Sequence, residues 1–201
     1  MLALYHAPRS RSGRTVWLLE ELGAAYDIRF VDIVYGDGSG RRDPANVHPD
    51  GKVPALVDGD ALVTESLAVA LYLTDLLPEA GLGVLVGDPA RGTYLTWLAW
   101  CAGELEPTIF AQMTGAGDDP RAKAGFDAVV ARIDAALAAG PYLMGDRFTA
   151  VDVMVGGTLA WARSVMPPSA ALDAYLARLN ERPASIAACA KDAPAADRQA
   201  A

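Results

Sequence analysis

Residues 48–73 read HPDGKVPALVDGDALVTESLAVALYL, and they decide the fold of the N-terminal part of the chain. Two short apolar runs, at 55–57 and 61–63, flank an Asp-Gly-Asp turn at 58–60, which is the pattern of a β-hairpin. The residues that follow, 66–77, carry apolar side chains at helical spacing. This stretch therefore predicts two antiparallel strands followed directly by a helix.

The residues upstream of the hairpin predict a β-α-β unit. Leu2–His6 has the composition of a short strand, residues 12–22 predict a helix that ends at Gly23, and residues 28–34 predict a second strand. Strands joined by a crossover helix run parallel, whereas the strands of a hairpin run antiparallel. Together these elements predict an α/β domain with a mixed four-stranded sheet, an arrangement of the thioredoxin-like type.

Downstream of residue 90 the sequence predicts an all-α region. Alanine, the strongest helix former, is abundant there, and apolar residues recur at helical spacing. Thr149 and Asp152 have the spacing of a reciprocal cap at a helix N-terminus. Four helices are predicted, over 91–114 with a kink at Pro107, over 121–139, over 149–165 as the buried centre of a bundle, and over 169–180.

The two kinds of sequence define two domains. Residues 78–90 are rich in Gly and Pro and lack periodicity, which is typical of a linker. We therefore predict a thioredoxin-like domain over 1–79, a linker over 80–90 and an all-helical bundle domain over 91–201. A chain of 201 residues can bury such cores without disulfides or metals as staples.

Composition excludes several classes of function. With 17 basic and 25 acidic residues the net charge is −8, so the chain lacks the basic character of a general nucleic-acid binder. With 52% hydrophobic residues it is too apolar for a disordered acidic tail. Two cysteines and two histidines make neither a disulfide framework nor a transition-metal site, so we expect no bound metal.

The sequence also lacks recognisable signals for targeting. It starts MLALYHAPRS, without a basic region followed by an apolar segment. Its longest apolar run, at 67–73, is far shorter than the ~20 residues that span a bilayer. We expect a cytoplasmic protein that does not bind membranes.

The most polar candidate for a site is the stretch APRSRSGR at 7–14, directly after the first strand. A helix N-terminus exposes unpaired N–H groups and the positive end of the helix dipole, so it stabilises an anion or a thiolate. Ser10 and Ser12 can each donate a hydroxyl hydrogen to such a group. The alternative is that these serines are ordinary helix caps and that the arginines are solvated.

Two further segments lie at the start of an element. Val53-Pro54 enters the third strand, where a cis bond would expose the Val53 backbone to an extended peptide, or where Pro54 simply marks a strand edge. Glu65-Ser66 precedes the next helix, where the pair offers groups for an ammonium and a carboxylate, or Ser66 is a cap. All three segments should lie at one end of the sheet. That end also holds most cations of this region: Arg9, Arg11, Arg14, Arg41, Arg42 and Lys52.

The sequence resembles the cytosolic glutathione transferases over residues 1 to about 185. The resemblance rests on LYHAPRSRSGRTVWLLEELG at 4–23, on the stretch at 48–73, and on FTAVDV at 148–153. It implies a thioredoxin-like domain followed by a helical domain, in a bacterial enzyme with a serine-type active site and no assigned class. It also implies a homodimer and glutathione as co-substrate.

The resemblance assigns roles in binding glutathione. It implies that Pro54 is a cis-proline and that the Val53 backbone pairs with the cysteinyl part of glutathione. Glu65 would bind the α-amino group of the γ-glutamyl end, and Ser66 its carboxylate. Lys52 would contact the glycyl end. Asp152 would be a buried capping residue with a role in folding.

The catalytic position is assigned by the same resemblance. Ser10 is the best match to the active serine by its spacing to the following arginine, and Ser12 is the second candidate. A free thiol is only a few per cent ionised at pH 7. A hydroxyl from Ser10, the helix dipole and the nearby Arg11 would all favour the glutathione thiolate.

Glutathione transfer to small electrophiles, as in detoxification, is the predicted function. The two alternatives are a glutathione-dependent disulfide or peroxide reductase and a non-catalytic binding protein with the same fold. The electrophile would lie against the helical domain, although the aromatic residues there could equally pack in its core. The candidate residues for this pocket are Tyr94, Trp97, Trp100 and Glu104.

Overall fold

Alternating side chains make the first strand the centre of a sheet. In β1 (Leu2–His6), Leu2, Leu4 and His6 are buried, and the residues between them are half-buried. A computed structural model, which describes residues 1–115 and 119–192, orders the strands β2-β1-β3-β4. The other strands are β2 (Tyr26–Phe30), β3 (Ala55–Asp58) and β4 (Ala61–Thr64). β1 runs parallel to β2 and antiparallel to β3, and β4 completes the hairpin, which confirms the predicted mixed sheet.

Two helices bury one face of this sheet. These are α1 (Gly13–Glu21) and α2 (Ser66–Leu76), whose Leu18 and Leu73 are fully buried, as are Leu4 and Leu56 of the sheet. Strand β2 ends four residues earlier than predicted, at Phe30. Its partner β1 ends at His6, whose carbonyl accepts the last hydrogen bond of the pair, from the Val31 N–H. Beyond this point β1 offers no residue for β2 to pair with.

The region from residue 81 to 181 is helical. Helix α6 (Ala150–Trp161) has nine of its twelve residues buried, which confirms the predicted centre of the bundle. Around it lie α3 (Arg91–Trp100), α4 (Glu106–Met113), α5 (Pro120–Ala139) and α7 (Ala170–Asn180). The close approach of α6 and α7 occurs at Gly156, where a Cβ atom would collide with the Leu179 side chain.

The predicted helix over 91–114 is divided into two. A single wide π-turn at Cys101–Leu105 separates α3 from α4, and Pro107 lies at the start of α4. Proline has no N–H and its ring collides with the carbonyl of the preceding turn, so the backbone widens just before it. The expected distortion is therefore present, but it lies N-terminal to Pro107 as a π-turn.

A last helix, α8 (Pro183–Lys191), was not predicted. It packs on α1, where Arg182 Nη2 lies 2.7 Å from Glu21 Oε2 and Lys191 Nζ lies 2.6 Å from Glu20 Oε1. The described residues divide into a unit that holds Met1–Ala80 and α8 and a unit within Gly81–Glu181. Helix α8 belongs to the same unit as α1, and the predicted domain bounds stay a prediction.

None of the helices in the described parts of the chain has the length and apolar character needed to cross a membrane.

Candidate active site

The register of the sheet brings three chain segments to one edge. Tyr5 pairs with Ala55, and Ala55 pairs with Thr64. β1 ends one residue after Tyr5, β3 begins at Ala55, and β4 ends at Thr64. The segments 7–14, 52–54 and 65–66 therefore leave or enter the sheet side by side, and each holds candidate residues.

The loop after β1 presents Ser10 and buries Ser12. Ser10 is half-buried, and its hydroxyl donates to the Ala7 carbonyl at 2.6 Å. Ser12 is fully buried and occupies the N-cap position of α1, yet its side chain makes no capping bond. Its Oγ instead accepts the Ala7 N–H at 3.3 Å and lies 2.7 Å from both Ser10 Oγ and His6 Nδ1. The interpretation of this serine as an ordinary cap is therefore wrong.

Two hydrogen bonds from other parts of the chain hold the same loop in place. Asp192 Oδ2 accepts the Arg9 N–H at 2.9 Å, and the Tyr35 hydroxyl donates to the Pro8 carbonyl at 2.9 Å. Arg9 has a φ of 55°, a left-handed conformation that non-glycine residues rarely adopt. These contacts hold the backbone in that conformation directly before Ser10.

The second segment contains a cis peptide bond between Val53 and Pro54. Neither the N–H nor the carbonyl of Val53 is hydrogen-bonded to another described residue. The preceding carbonyl, of Lys52, accepts a hydrogen bond from Asn46 Nδ2 at 3.0 Å, which fixes the chain before the cis bond. The backbone of Val53 is thus held in place with both of its polar groups available to an extended ligand.

The third segment combines a strained backbone with unused polar groups. Glu65 occupies the N-cap position of α2 with a φ of 67°, and Ser66 is the first residue of the helix. The exposed Glu65 carboxylate and the Ser66 hydroxyl make no hydrogen bond or ion pair within the described residues. The alternative in which Ser66 is a cap is therefore wrong. A backbone held in such a conformation costs roughly 1–3 kcal/mol and is typical of binding sites.

Part of the predicted cationic cluster is neutralised locally. Arg41 Nε lies 2.7 Å from Asp32 Oδ2, and Lys52 Nζ lies 3.8 Å from Asp50 Oδ2. The Arg42 guanidinium donates to the Pro49 carbonyl at 2.6 Å. Arg11 is exposed beside the two serines.

Two family models match the chain. The model described as "Glutathione S-transferase, N-terminal domain" matches residues 1–75, and the one described as "Glutathione S-transferase, C-terminal domain" matches residues 118–182. Together they cover well over half of the sequence and include all three segments of the site.

Whole-chain relatives agree with these models. Glutathione S-transferase GstA of Escherichia coli is 29% identical over 189 residues, which cover 90% of this chain and 94% of that protein. A glutathione S-transferase of a sphingomonad, solved in complex with glutathione, is 30% identical with a TM-score of 0.77, over 94% of this chain and 98% of that one. The chain belongs to the glutathione S-transferase family. A second structure, a glutathione S-transferase of Actinobacillus pleuropneumoniae, has a TM-score of 0.83 at 26% identity over 99% of this chain and 96% of that one.

Membership in the glutathione S-transferase family confirms the expected fold and the expected enzyme class, glutathione transferase, with glutathione as co-substrate. The described residues contain no group of three or more His, Cys, Asp or Glu side chains that could hold a metal ion.

A cavity of about 530 Å³ lies on the sheet beside Ala3, Tyr5 and Val57, and no predicted site residue lines it.

The residues predicted to bind the electrophile lie in the second unit. Tyr94 and Trp97 are buried, so their side chains contribute to the core, as the packing alternative expects. Trp97 and Trp100 meet edge to face at 5.2 Å, and the Arg132 guanidinium lies over both rings at 4.5 and 4.6 Å. A role in substrate binding stays a prediction, and it is best suited to the half-buried Trp100 and the exposed Glu104.

The predicted cap of α6 is present. Asp152 Oδ2 accepts the Thr149 N–H at 2.9 Å, and Thr149 Oγ1 accepts the Val151 N–H at 3.2 Å. The other carboxylate oxygen accepts from the Leu143 N–H at 2.9 Å and the Tyr175 hydroxyl at 3.1 Å. Burial raises the pKa of Asp152, and these hydrogen bonds oppose the rise.

Two residues beside the serines were not singled out from the sequence. His6 is fully buried against Ser12, and its ring meets Phe30 edge to face at 5.5 Å. Asp192 contacts His6 from the end of α8. The alternation of β1 does place His6 on the buried face with Leu2 and Leu4, and this signal could have drawn attention to it.

Proposed function

We propose that this glutathione transferase binds glutathione at the sheet edge formed by 7–14, 52–54 and 65–66, and transfers it to small electrophilic compounds. The observation that carries the proposal is the set of unused polar groups at this edge. The Val53 backbone, the Glu65 carboxylate and the Ser66 hydroxyl have no partners among the described residues. Buried or fixed polar groups normally find partners, so groups left available point to a ligand.

The available groups match the parts of a γ-glutamyl tripeptide. The Glu65 carboxylate suits the α-ammonium group, and the Ser66 hydroxyl, at the N-terminus of α2, suits the neighbouring carboxylate. The N–H and carbonyl of Val53 suit the backbone of the cysteinyl residue. Lys52 and Arg11, both exposed, suit the second carboxylate and the sulfur.

Ser10 is the residue that we assign to the thiol. Ser12 is fully buried, and its oxygen is already surrounded by Ala7, Ser10 and His6, which supports a positioning role. Ser10 is half-buried and lies before the N-terminus of α1. A hydroxyl and a helix dipole at the sulfur both stabilise the thiolate and lower the thiol pKa. The thiolate then attacks an electrophilic carbon and forms a thioether.

The remaining parts of the proposal rest on the family alone. The electrophile would contact the helical region near Trp100 and Glu104. The enzyme would act as a homodimer in the cytoplasm, as is typical of these transferases. The test of the dimer is the molecular mass in solution by light scattering.

Ser10→Ala tests the assignment of the catalytic residue. We expect kcat with chlorodinitrobenzene to fall by about 10²-fold, the usual effect of removing one preorganised donor, while binding of glutathione changes little. Thr15→Val is the matched control, because Thr15 Oγ1 is buried in the first turn of the same helix and has no hydrogen-bond partner among the described residues. Unchanged turnover in Ser10→Ala would mean that groups other than Ser10 stabilise the thiolate.

Two assays separate the alternatives. A disulfide substrate in an NADPH-coupled assay measures the reductase activity, which we expect to be minor beside conjugation. Retention on immobilised glutathione tests the non-catalytic alternative, because a protein that uses only the scaffold would not be retained. Retention without turnover of any electrophile or disulfide would contradict the proposed enzyme activity.

A further inference from the structure

A continuous series of hydrogen-bonding contacts connects Ser10, Ser12, His6 and Asp192. The Oγ atoms of Ser10 and Ser12 are 2.7 Å apart, and Ser12 Oγ is 2.7 Å from His6 Nδ1. His6 Nε2 lies 3.0 Å from the Asp192 carbonyl and 3.4 Å from its Oδ1. Ser12 and His6 are both fully buried, so the half-buried Ser10 hydroxyl is linked to an internal imidazole through a buried hydroxyl.

The partners of His6 fix where its proton lies. A carbonyl oxygen only accepts, so Nε2 carries the hydrogen that is donated to Asp192. Burial lowers the pKa of His6, and the carbonyl and carboxylate of Asp192 oppose this change. The neutral ring therefore has its lone pair on Nδ1, which accepts the Ser12 hydroxyl hydrogen. Nδ1 is thus a base that can accept a proton from Ser12, and through Ser12 from Ser10.

Among the described residues, Asp192 brings a carboxylate to the ring, with Oδ1 3.4 Å from Nε2. From β2 the ring meets uncharged Phe30, and from the residues before α1 it meets Ser12. Lys191, beside Asp192 in the sequence, is instead paired with Glu20 at 2.6 Å. A carboxylate at this distance stabilises an imidazolium, so Asp192 favours uptake of a proton by His6.

We propose that His6 receives, through Ser10 and Ser12, the proton that the glutathione thiol loses, and that Asp192 positions and stabilises the resulting imidazolium. The proposal rests on the proposed function, because it takes Ser10 to be the neighbour of the thiol. His6, Ser12 and Asp192 are positioning residues in this scheme, since none of them touches the sulfur.

The proton transfer takes place in three coupled steps, from the thiol to Ser10, from Ser10 to Ser12 and from Ser12 to His6. The S–H bond breaks and its proton binds Ser10 Oγ, while the Ser10 hydrogen leaves the Ala7 carbonyl and binds Ser12 Oγ. The Ser12 hydrogen binds His6 Nδ1. The result is a thiolate that accepts a hydrogen bond from Ser10, and an imidazolium that donates through Nδ1 to Ser12 and through Nε2 to Asp192.

This scheme predicts an unusual proton balance. When the enzyme binds glutathione as thiolate, the negative charges of the thiolate and of the Asp192 carboxylate both favour the imidazolium over the neutral ring. The proton then stays on His6, so almost none is released to the buffer. In His6→Gln the base is absent, and each thiolate formed must release one proton. The thiolate fraction is measured by ultraviolet absorbance, and the released protons by calorimetry in buffers of different ionisation enthalpy. The ratio of protons to thiolates should rise from near zero to near one.

A second measurement uses the apparent pKa of the bound thiol. His6→Gln and Ser12→Ala should each reduce thiolate formation at a fixed pH by about tenfold, equivalent to about one pKa unit. The double variant should lose no more than either single variant, because both changes interrupt one chain. Thr15→Val should change nothing, because its buried hydroxyl lies outside the chain.

Asp192→Asn guards against a failure to fold. The amide oxygen can still accept the Arg9 N–H, so the loop keeps its anchor, while the charge facing His6 is removed. We expect a smaller fall in thiolate formation, by a few fold, with glutathione binding retained. Additive losses in the double variant, or one proton released per thiolate in the wild type, would overturn the proposal. If Ser10→Ala lowers thiolate formation but His6→Gln does not, the proposed proton transfer to His6 is wrong and the proposed function stands. A wild type that binds no glutathione would overturn both proposals.

Discussion

The N-termini of α6 and α1 use the same kinds of residue for opposite purposes. At α6, Thr149 and Asp152 satisfy each other and the helix, and every carboxylate oxygen of Asp152 is engaged. At α1, Ser12 occupies the cap position but leaves the helix uncapped, and its hydroxyl serves His6 and Ser10 instead. The first arrangement commits its polar groups to folding. The second directs its serine hydroxyls into the loop, where a ligand anion is expected.

The N-terminus of α2 extends this contrast. Glu65 holds a left-handed backbone and an exposed, unpartnered carboxylate directly before the helix. Such a residue lowers stability, whereas the buried cap of α6 raises it. Changes at the two kinds of helix start should therefore separate stability from glutathione binding.

Asp152→Ala should have the largest effect of the changes considered. It leaves the buried N–H groups of Leu143 and Thr149 and the Tyr175 hydroxyl without an acceptor. Each such loss costs about 1–3 kcal/mol, so the free energy of unfolding should fall by about 3–5 kcal/mol. Urea denaturation measures this change. The exposed Asp173→Ala, in the same unit, is the matched control and should change stability little.

Protein that remains folded should bind glutathione as the wild type does, because Asp152 is committed to the fold. Weaker binding by folded Asp152→Ala would break the contrast between the two helix starts.

Glu65→Gly should have a smaller effect, with opposite signs for stability and binding. Glycine adopts a positive φ without strain, so relief of the Glu65 backbone should raise the free energy of unfolding by about 1 kcal/mol. Loss of a charged partner for the ligand ammonium should weaken glutathione binding by about tenfold or more. Urea denaturation and isothermal titration calorimetry measure the two effects.

Asp60→Asn is the control for that change. Asp60 is an exposed carboxylate in the turn of the same hairpin, at the other end of β4 from Glu65. It should alter neither quantity. A simultaneous loss of stability and binding in Glu65→Gly would indicate that Glu65 supports the fold.

The sequence predicted the elements whose patterns are strong and missed those built from small residues. The alternation of β1 and the nearly continuous apolar run of α6 leave one choice of structure. Helix α8 has nine residues, and its buried residues are Ser185 and Ala188, so no apolar stripe marks it. Its contacts are with α1, more than 160 residues earlier, and local periodicity carries no information about them.

The same limit applies to the site. The segments around Ser10, Val53 and Glu65 were predicted because turn and helix-start residues are recognisable locally. The contact between His6 and Asp192 joins residues 186 positions apart, and it depends on α8. Local motifs thus identify the groups that meet the ligand, while the groups behind them require the folded chain.

The pH dependence of stability should show the smallest effect, and it should come from the cap of α6. Burial raises the pKa of Asp152 in the folded protein above its unfolded value near 3.9. Between these two pKa values the folded state binds more protons than the unfolded state, so stability falls as pH rises through this window. Asp152→Asn cannot titrate, so its free energy of unfolding should lack this contribution. The advantage of the wild type over Asp152→Asn should therefore be greater at pH 4 than at pH 7, as urea titrations at the two pH values would measure. An advantage that grows with pH would mean that the hydrogen bonds to the carboxylate outweigh its burial, and the cap would then be stabilised by its charge.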